Sequence, residues 1–182
     1  MSYDWKTALG RALKKNRQDA PHRYLQLATQ GQDGYPANRT VVFRGFSDSG
    51  ELMIVTDQRS AKIEQLALSP KVEACWYFSR TREQFRIRGR VCTVDGDSRR
   101  DGERAEAWAR LSAAAREQFF WPPPGKPLTS SAAIPVSDAP SPVFTLLLLE
   151  PECVDHLVLT TPQQRFLSIN NDDGWCSEAV NP

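Results

Sequence analysis

Hydrophobic and polar positions along the chain change period several times. At the start, Trp5, Ala8, Leu9 and Leu13 recur close to helical spacing, which predicts a helix over residues 5–16. Alternation then takes over. Leu25, Leu27 and Thr29 share one strand face. Arg39, Val41 and Phe43 oppose Thr40, Val42 and Arg44 on a second strand. Leu52, Ile54 and Thr56 oppose Met53 and Val55 on a third. Turn-prone stretches at 32–34 and 47–50 separate these runs, so the three read as an antiparallel meander. A short helix follows, with Ser60 as its N-cap and Ile63, Leu66 and Ala67 on one side, ended by Ser69-Pro70. Two longer strands come next, 72–79 and 83–94. In the second, Phe85, Ile87, Gly89 and Val91 face one way and Gln84, Arg86, Arg88 and Arg90 the other.

From 97 to 120 the composition turns charged and alanine-rich, and Ala107, Trp108 and Leu111 predict helices packed on the sheet. A loop over 122–142 holds seven of the 13 prolines; stretches of that length without secondary structure usually carry function or move. Strands are expected again at 143–149, 153–160, 165–170 and 175–180. The whole reads as one mainly β domain over 1–182 with helical additions: an antiparallel β-barrel carrying a helical and proline-rich insertion at about 97–142. The same pattern would suit a sandwich.

Composition narrows the function classes. Hydrophobic residues make up 40% and charged residues 25%, an ordinary globular balance. A net charge of +1 disfavours nucleic-acid binding, which calls for a basic excess. The strongest apolar run, 143–149, stops at Glu150, short of a membrane span, and the N-terminus has no signal-like apolar stretch. A cytoplasmic protein is expected. Cys75, Cys92, Cys153 and Cys176 lack metal-ligand spacing and only His22 and His156 could join them, so buried thiols are expected and a structural zinc is not.

No nucleophile elbow, phosphate-binding loop or dinucleotide fingerprint is present, and neither histidine sits beside a recognisable nucleophile, which argues against a hydrolase. Anion binding has a better basis. Arg39 begins a strand, Thr56 ends another, Ser60 opens the next helix and Lys62 lies in its first turn. A strand end running into a helix N-terminus gathers hydroxyls, backbone N–H groups and the positive end of the dipole. On these residues alone, solvated side chains explain the pattern equally well. The stripe from Gln84 to Arg90 is open in the same way: a solvated outer face, or a face against a polar ligand or second subunit. An amide such as Gln84 both donates and accepts, as a heterocycle edge requires.

Taken in order, the stretches 39–44 (RTVVFR), 50–62 (GELMIVTDQRSAK), Ser69-Pro70 and 83–89 (EQFRIRG) resemble the pyridoxamine 5′-phosphate oxidase family of FMN-binding split barrels. The ending 174–182 (GWCSEAVNP) is similar to the last strand of that family. The resemblance implies an antiparallel split β-barrel, FMN as cofactor, a homodimer with FMN at the interface, and oxidation of a small molecule by hydride transfer to the flavin. It puts Arg39, Val41, Arg44, Val55, Thr56, Ser60 and Lys62 around the FMN, its phosphate and ribityl end held by Arg39, Thr56, Ser60 and Lys62. Gln84 would reach the flavin ring and Arg165 would reach it from the neighbouring subunit. Arg110 corresponds to a substrate-phosphate arginine, with Arg44 as a second candidate. The chain also departs from the family. Ser60-Ala61-Lys62 replaces Ser-Arg-Lys, with Arg59 adjacent; Leu157 stands for a tryptophan; Pro162-Gln163-Gln164 stands where an Arg-x-His substrate motif is expected. Split barrels of this kind also hold haem or the deazaflavin F420 without catalysis, haem requiring His22 or His156 as axial ligand. A barrel used only for protein contacts is the third reading.

Overall fold

The computed structural model describes residues 3–129 and 137–182, so residues 130–136 of the proline-rich loop lie outside the described residues. Helix α1 (Trp5–Lys15) is started by Asp4, whose carboxylate accepts from the Lys6 and Thr7 amides, and it buries Trp5, Ala8, Leu9 and Ala12. Strands β1 (Tyr24–Gln30), β2 (Pro36–Phe46) and β3 (Leu52–Asp57) form the expected meander. Then come α2 (Ala61–Leu68), β4 (Lys71–Phe78), β5 (Glu83–Val94), α3 (Asp101–Ala109), α4 (Ala113–Glu117), β6 (Phe144–Val158), β7 (Gln164–Asn171) and β8 (Gly174–Val180).

All pairings are antiparallel. The sheet runs β3-β2-β1-β4-β5-β6-β7-β8, and β3 also pairs with β6. That contact closes six strands into a barrel and leaves β7 and β8 as an extension. β6 makes this possible by its length. It pairs with β5 throughout, with β3 through its first half and with β7 through its second.

β6 corrects the sequence reading. Residues 143–149 and 153–160 are not two strands but parts of one, continuous through Pro151. A proline has no N–H to give a ladder and tends to end a strand or sit at a bulge. Here it lies at an irregularity, where the β5–β6 register shifts between Arg88 and Gly89. The two backbones meet so closely that a Cβ on Gly89 would stand 1.9 Å from the Glu150 carbonyl oxygen.

Two cores result. The barrel interior holds Leu25, Leu27, Phe43, Ile54, Trp76, Phe85 and Leu147, with α1 closing one end. A second core lies on the outer side of β3 and β6, where Met53, Leu146 and Leu148 meet Trp108, Phe119 and Phe144. β6 is therefore buried on both faces, which explains an unbroken apolar run rather than an alternating one. The helical insertion is fastened by charge as well. Buried Arg104 donates to the Phe144 and Ser141 carbonyls at 2.7 and 2.8 Å, and Arg100 forks onto Glu51 at 2.8 and 2.6 Å. Among the described residues, no helix is long and apolar enough to cross a membrane.

Candidate cofactor site

A cleft of about 390 Å³ opens on the outer side of β2 and β3. Thr40, Val42 and Arg44 of β2 contribute to it, with Val55 and Thr56 of β3. Ser60 and Lys62 stand at the start of α2, and Phe119, Trp121 and Pro122, beyond α4, form the opposite wall. The alternation of β2 decides which side chains enter. Val41 touches the cleft, but its side chain belongs to the barrel core with Phe43.

One end of the cleft is a cluster of hydroxyls around an ammonium. Lys62 Nζ donates to Thr56 Oγ1 at 2.7 Å and to Ser60 Oγ at 3.0 Å. Ser60 occupies the N-cap position as expected, yet its hydroxyl makes no capping bond. It donates instead to the Asp57 carbonyl at 2.8 Å. The first N–H groups of α2 are thus not consumed by the cap side chain, and the positive end of the helix faces the same cluster. Burial pushes the Lys62 ammonium below the usual lysine range, the nearby positive charge of Arg39 adds to this, and Asp57 opposes it.

Arg44 points the same way. Burial holds its guanidinium below the ordinary arginine value, with the like charge of Arg23 adding to the effect, and its buried Nε finds no acceptor among the described residues. A buried N–H without a partner is costly. A phosphate-bearing ligand in the cleft would reverse the unfavourable surroundings of both cations. The residues present therefore fit an anionic cofactor end.

The structure distributes the sequence-derived candidates unevenly. Arg44, Val55, Thr56, Ser60 and Lys62 come together. Arg39 stands behind them and is tied to its own chain, donating to Leu27 O (3.1 Å), Thr29 Oγ1 (2.6 Å) and Gln65 Oε1 (2.7 Å). Gln84 and Arg165 do not line the cleft of their own chain. They flank Leu157 in one cross-strand row, Gln84 on β5 and Arg165 on β7. Arg165 is held by Asp155 through two bonds of 2.9 and 2.8 Å. The stripe beyond Gln84 is a set of ion pairs: Arg86 and Arg88 with Glu73, Arg90 with Glu152. Arg110 lies outside the cleft, following α3, where it pairs with Glu106 at 3.3 Å. Arg59 forks onto Asp57 and donates to the Trp121 carbonyl at 3.0 Å, pinning the far wall to the start of α2. The two histidines differ in how far their ring nitrogens are engaged. His156 is buried, with Tyr3 on one ring nitrogen at 2.6 Å and Glu83 on the other at 3.0 Å, and His22 Nδ1 meets Asp19 O at 2.8 Å.

Two features escaped the sequence reading. Gln65, which holds Arg39, has no local signature. The wall at Phe119 and Trp121 does have one, an aromatic cluster directly before three prolines in an otherwise charged segment.

Residues 2–95 match the family described as Pyridoxamine 5'-phosphate oxidase, FMN-binding domain. That stretch carries every residue of the hydroxyl and ammonium cluster. The chain belongs to this family. FMN is the cofactor its domain binds. Along the whole chain, the pyridoxine/pyridoxamine 5'-phosphate oxidase 2 of Arabidopsis thaliana is 43% identical over 191 residues, covering 98% of this chain and 96% of the relative. The crystal structure of a pyridoxamine 5'-phosphate oxidase-related, FMN-binding protein from Nostoc punctiforme superposes with a TM-score of 0.90 at 46% identity, covering all of both chains. PhzG from Burkholderia lata, in complex with tetrahydrophenazine-1-carboxylic acid, shares the fold at a TM-score of 0.80 and 18% identity, over 98% of this chain and 93% of that one.

Proposed function

We propose that this member of the family is a flavin-dependent oxidoreductase acting on a small molecule, with pyridoxamine or pyridoxine 5′-phosphate as the first substrates to try. One observation carries the cofactor assignment: Lys62, Thr56 and Ser60 form a preassembled cluster in a cleft that the Arg44 guanidinium also borders. Family membership and the full-length Arabidopsis relative support the oxidase reading.

In this reading Lys62, Arg44 and the hydroxyls of Thr56 and Ser60 hold the phosphate end. Thr40, Val42 and Val55 support the ribityl chain and ring. Arg39, fixed by Thr29 and Gln65, adds positive charge from behind. When bound, FMN supplies the redox chemistry, accepting a hydride from the substrate. The chain's own share is orientation and charge. Gln84 and Arg165 would complete the site from a second copy, since neither reaches the cleft of its own chain; the functional unit is then a homodimer. The four cysteines are free thiols, though not buried as expected: Cys75 and Cys153 are half-buried and Cys92 and Cys176 exposed; unpaired thiols suit a reducing compartment, so we assign the protein to the cytoplasm.

The test is anaerobic addition of pyridoxamine 5′-phosphate, then pyridoxine 5′-phosphate, to the FMN-loaded protein. Bleaching of the flavin absorbance by excess substrate, with one equivalent of aldehyde per flavin formed anaerobically and continued turnover once air reoxidises the flavin, supports the reading. An FMN complex that stays oxidised with both compounds would move the activity to another substrate class.

A further inference from the structure

Among the described residues, Asp57 is the one acidic residue that lines the cofactor cleft. It ends β3, directly before the turn into α2. A carboxylate in this place works against a bound anion. It is close enough to Lys62 to oppose the lowering of that ammonium, and it would repel a phosphate brought to the same cluster.

Arg59 takes up that carboxylate. Its guanidinium forks onto Asp57, Nε to Oδ1 at 3.0 Å and Nη2 to Oδ2 at 2.6 Å, and its amide donates to Oδ1 at 2.7 Å. The fork both balances the negative charge and fixes its direction. Arg59 does not line the cleft itself.

The same Nη2 donates to the Trp121 carbonyl at 3.0 Å. Up to Phe119 the insertion is held by apolar packing, with Phe119 buried edge-on against Phe144 at 4.9 Å between centroids. Trp121 is half-exposed, and Pro122, Pro123 and Pro124 follow it. Prolines have a fixed φ and no N–H to give, and they hold the preceding residue extended. Trp121 is so held, at φ −72° and ψ 162°. Its carbonyl therefore sits at the root of a stiff segment, of which Pro122 and Pro124 line the cleft. Among the described residues, the bond from Arg59 is the one hydrogen bond that ties 120–124 to the barrel. Asp57 and Arg59 lie within the stretch 2–95 that matches the family, and the wall lies outside it.

We propose that Arg59 is a positioning residue for the cofactor: one guanidinium balances the Asp57 carboxylate at the phosphate end and clasps the Trp121 carbonyl, which keeps the proline wall against bound FMN. The inference rests on the reading that places the phosphate at Lys62, and it gives Arg59 no contact with that phosphate.

The test measures FMN affinity and FMN dissociation rate by flavin fluorescence, with thermal melts of every variant. Arg59→Met exposes the carboxylate and opens the clasp. It should bind about tenfold more weakly and release FMN faster. Asp57→Asn/Arg59→Met removes the carboxylate as well. It should regain about threefold or more of the lost affinity, yet still release FMN faster than the parent. It also carries the test where Arg59→Met alone does not fold. Replacing Pro122, Pro123 and Pro124 by Ala should quicken release in the parent and add little in Asp57→Asn/Arg59→Met, because the wall is already unclasped there. Parental affinity and release in Arg59→Met would overturn the proposal. So would a double variant that binds no tighter than Arg59→Met, as expected of an arginine that touches the phosphate directly. Equal effects of the proline changes in both backgrounds would overturn the clasp. A parent indifferent to FMN, or Lys62→Ala binding as the parent does, would overturn the phosphate reading and this inference with it.

Discussion

Lys62 Nζ donates to Thr56 Oγ1 at 2.7 Å, joining the first turn of α2 to the end of β3 at one point of the cofactor cleft. Burial, and secondarily Arg39, hold that ammonium below the usual lysine range. Phosphate binding needs it charged. FMN affinity should therefore be full at neutral pH and weaken as pH climbs through the lowered Lys62 pKa, earlier than for an exposed lysine. Fluorescence titrations of FMN between pH 7 and 10 would show it. Lys62→Ala should bind about tenfold more weakly at pH 7, as loss of a charge-assisted contact implies, and should lack this pH slope.

Gln84 and Arg165 share a cross-strand row through Leu157 yet stay out of their own cleft. A site completed by a second copy predicts complementation. Lys62→Ala and Arg165→Ala should each weaken both sites of their homodimers. In a mixed dimer, one site carries both changes and the other carries none. Exchanging subunits between the two variants should thus restore a fraction of tight FMN binding. Independent sites on separate chains would show no recovery.

The Glu51–Arg100 pair fastens the helical insertion to the start of β3. The two hydrogen bonds from Arg100 outweigh the effect of burial and hold the Glu51 carboxyl at about 2, against an ordinary 4.5. A depressed carboxyl pKa stabilises the fold above the unfolded value and loses that contribution as pH falls through the folded one. Glu51→Gln should therefore cost about 2 kcal/mol at pH 7, in the range for hydrogen bonds to charged groups. The gap from the parent protein should close as pH falls from 4.5 towards 2. Urea melts across that range would check it.

Gly89 is fixed by the approach of β6. A Cβ there would lie 1.9 Å from the Glu150 carbonyl oxygen, and both partners are backbone, so neither can swing aside. Gly89→Ala should cost about 3 kcal/mol or more, in the upper range for single substitutions. Gly102, within α3, has nothing within 4 Å of the same position, and Gly102→Ala should stabilise by about 0.5 kcal/mol through helix propensity. Equal thermal shifts for the two variants would mean that β5 and β6 do not approach as described.

Period carried most of the fold. The strands β1, β2 and β5 and the helix α1 follow from spacing because each buries mainly one face, and β3, though covered on both, keeps its alternation of side chains between the two cores. β6 did not follow, for two physical reasons. Its first half is buried on both faces, so it shows no alternation, and Pro151 mimics a strand end while sitting at an irregularity opposite Gly89. The cleft was legible in part. Thr56, Ser60 and Lys62 are close in sequence, so local order brings them together. Arg44 converges on them across strands, and family resemblance rather than spacing pointed to it. The Phe119 and Trp121 wall comes from an insertion whose place on the barrel is set by packing against β3 and β6, which no local pattern encodes. Arg39 shows the reverse case: a residue close to the cluster whose guanidinium bonds Leu27, Thr29 and Gln65 and does not line the cleft.

The most direct test is FMN titration, followed by absorbance and fluorescence, of the parent protein and of Arg39→Ala/Lys62→Ala, with thermal melts of both. Tight saturable binding near one FMN per chain is expected for the parent. The variant should melt cooperatively as the parent does and fail to hold FMN at micromolar concentrations. A parent that ignores FMN, or a folded variant that retains micromolar affinity, would contradict the assignment of the cleft.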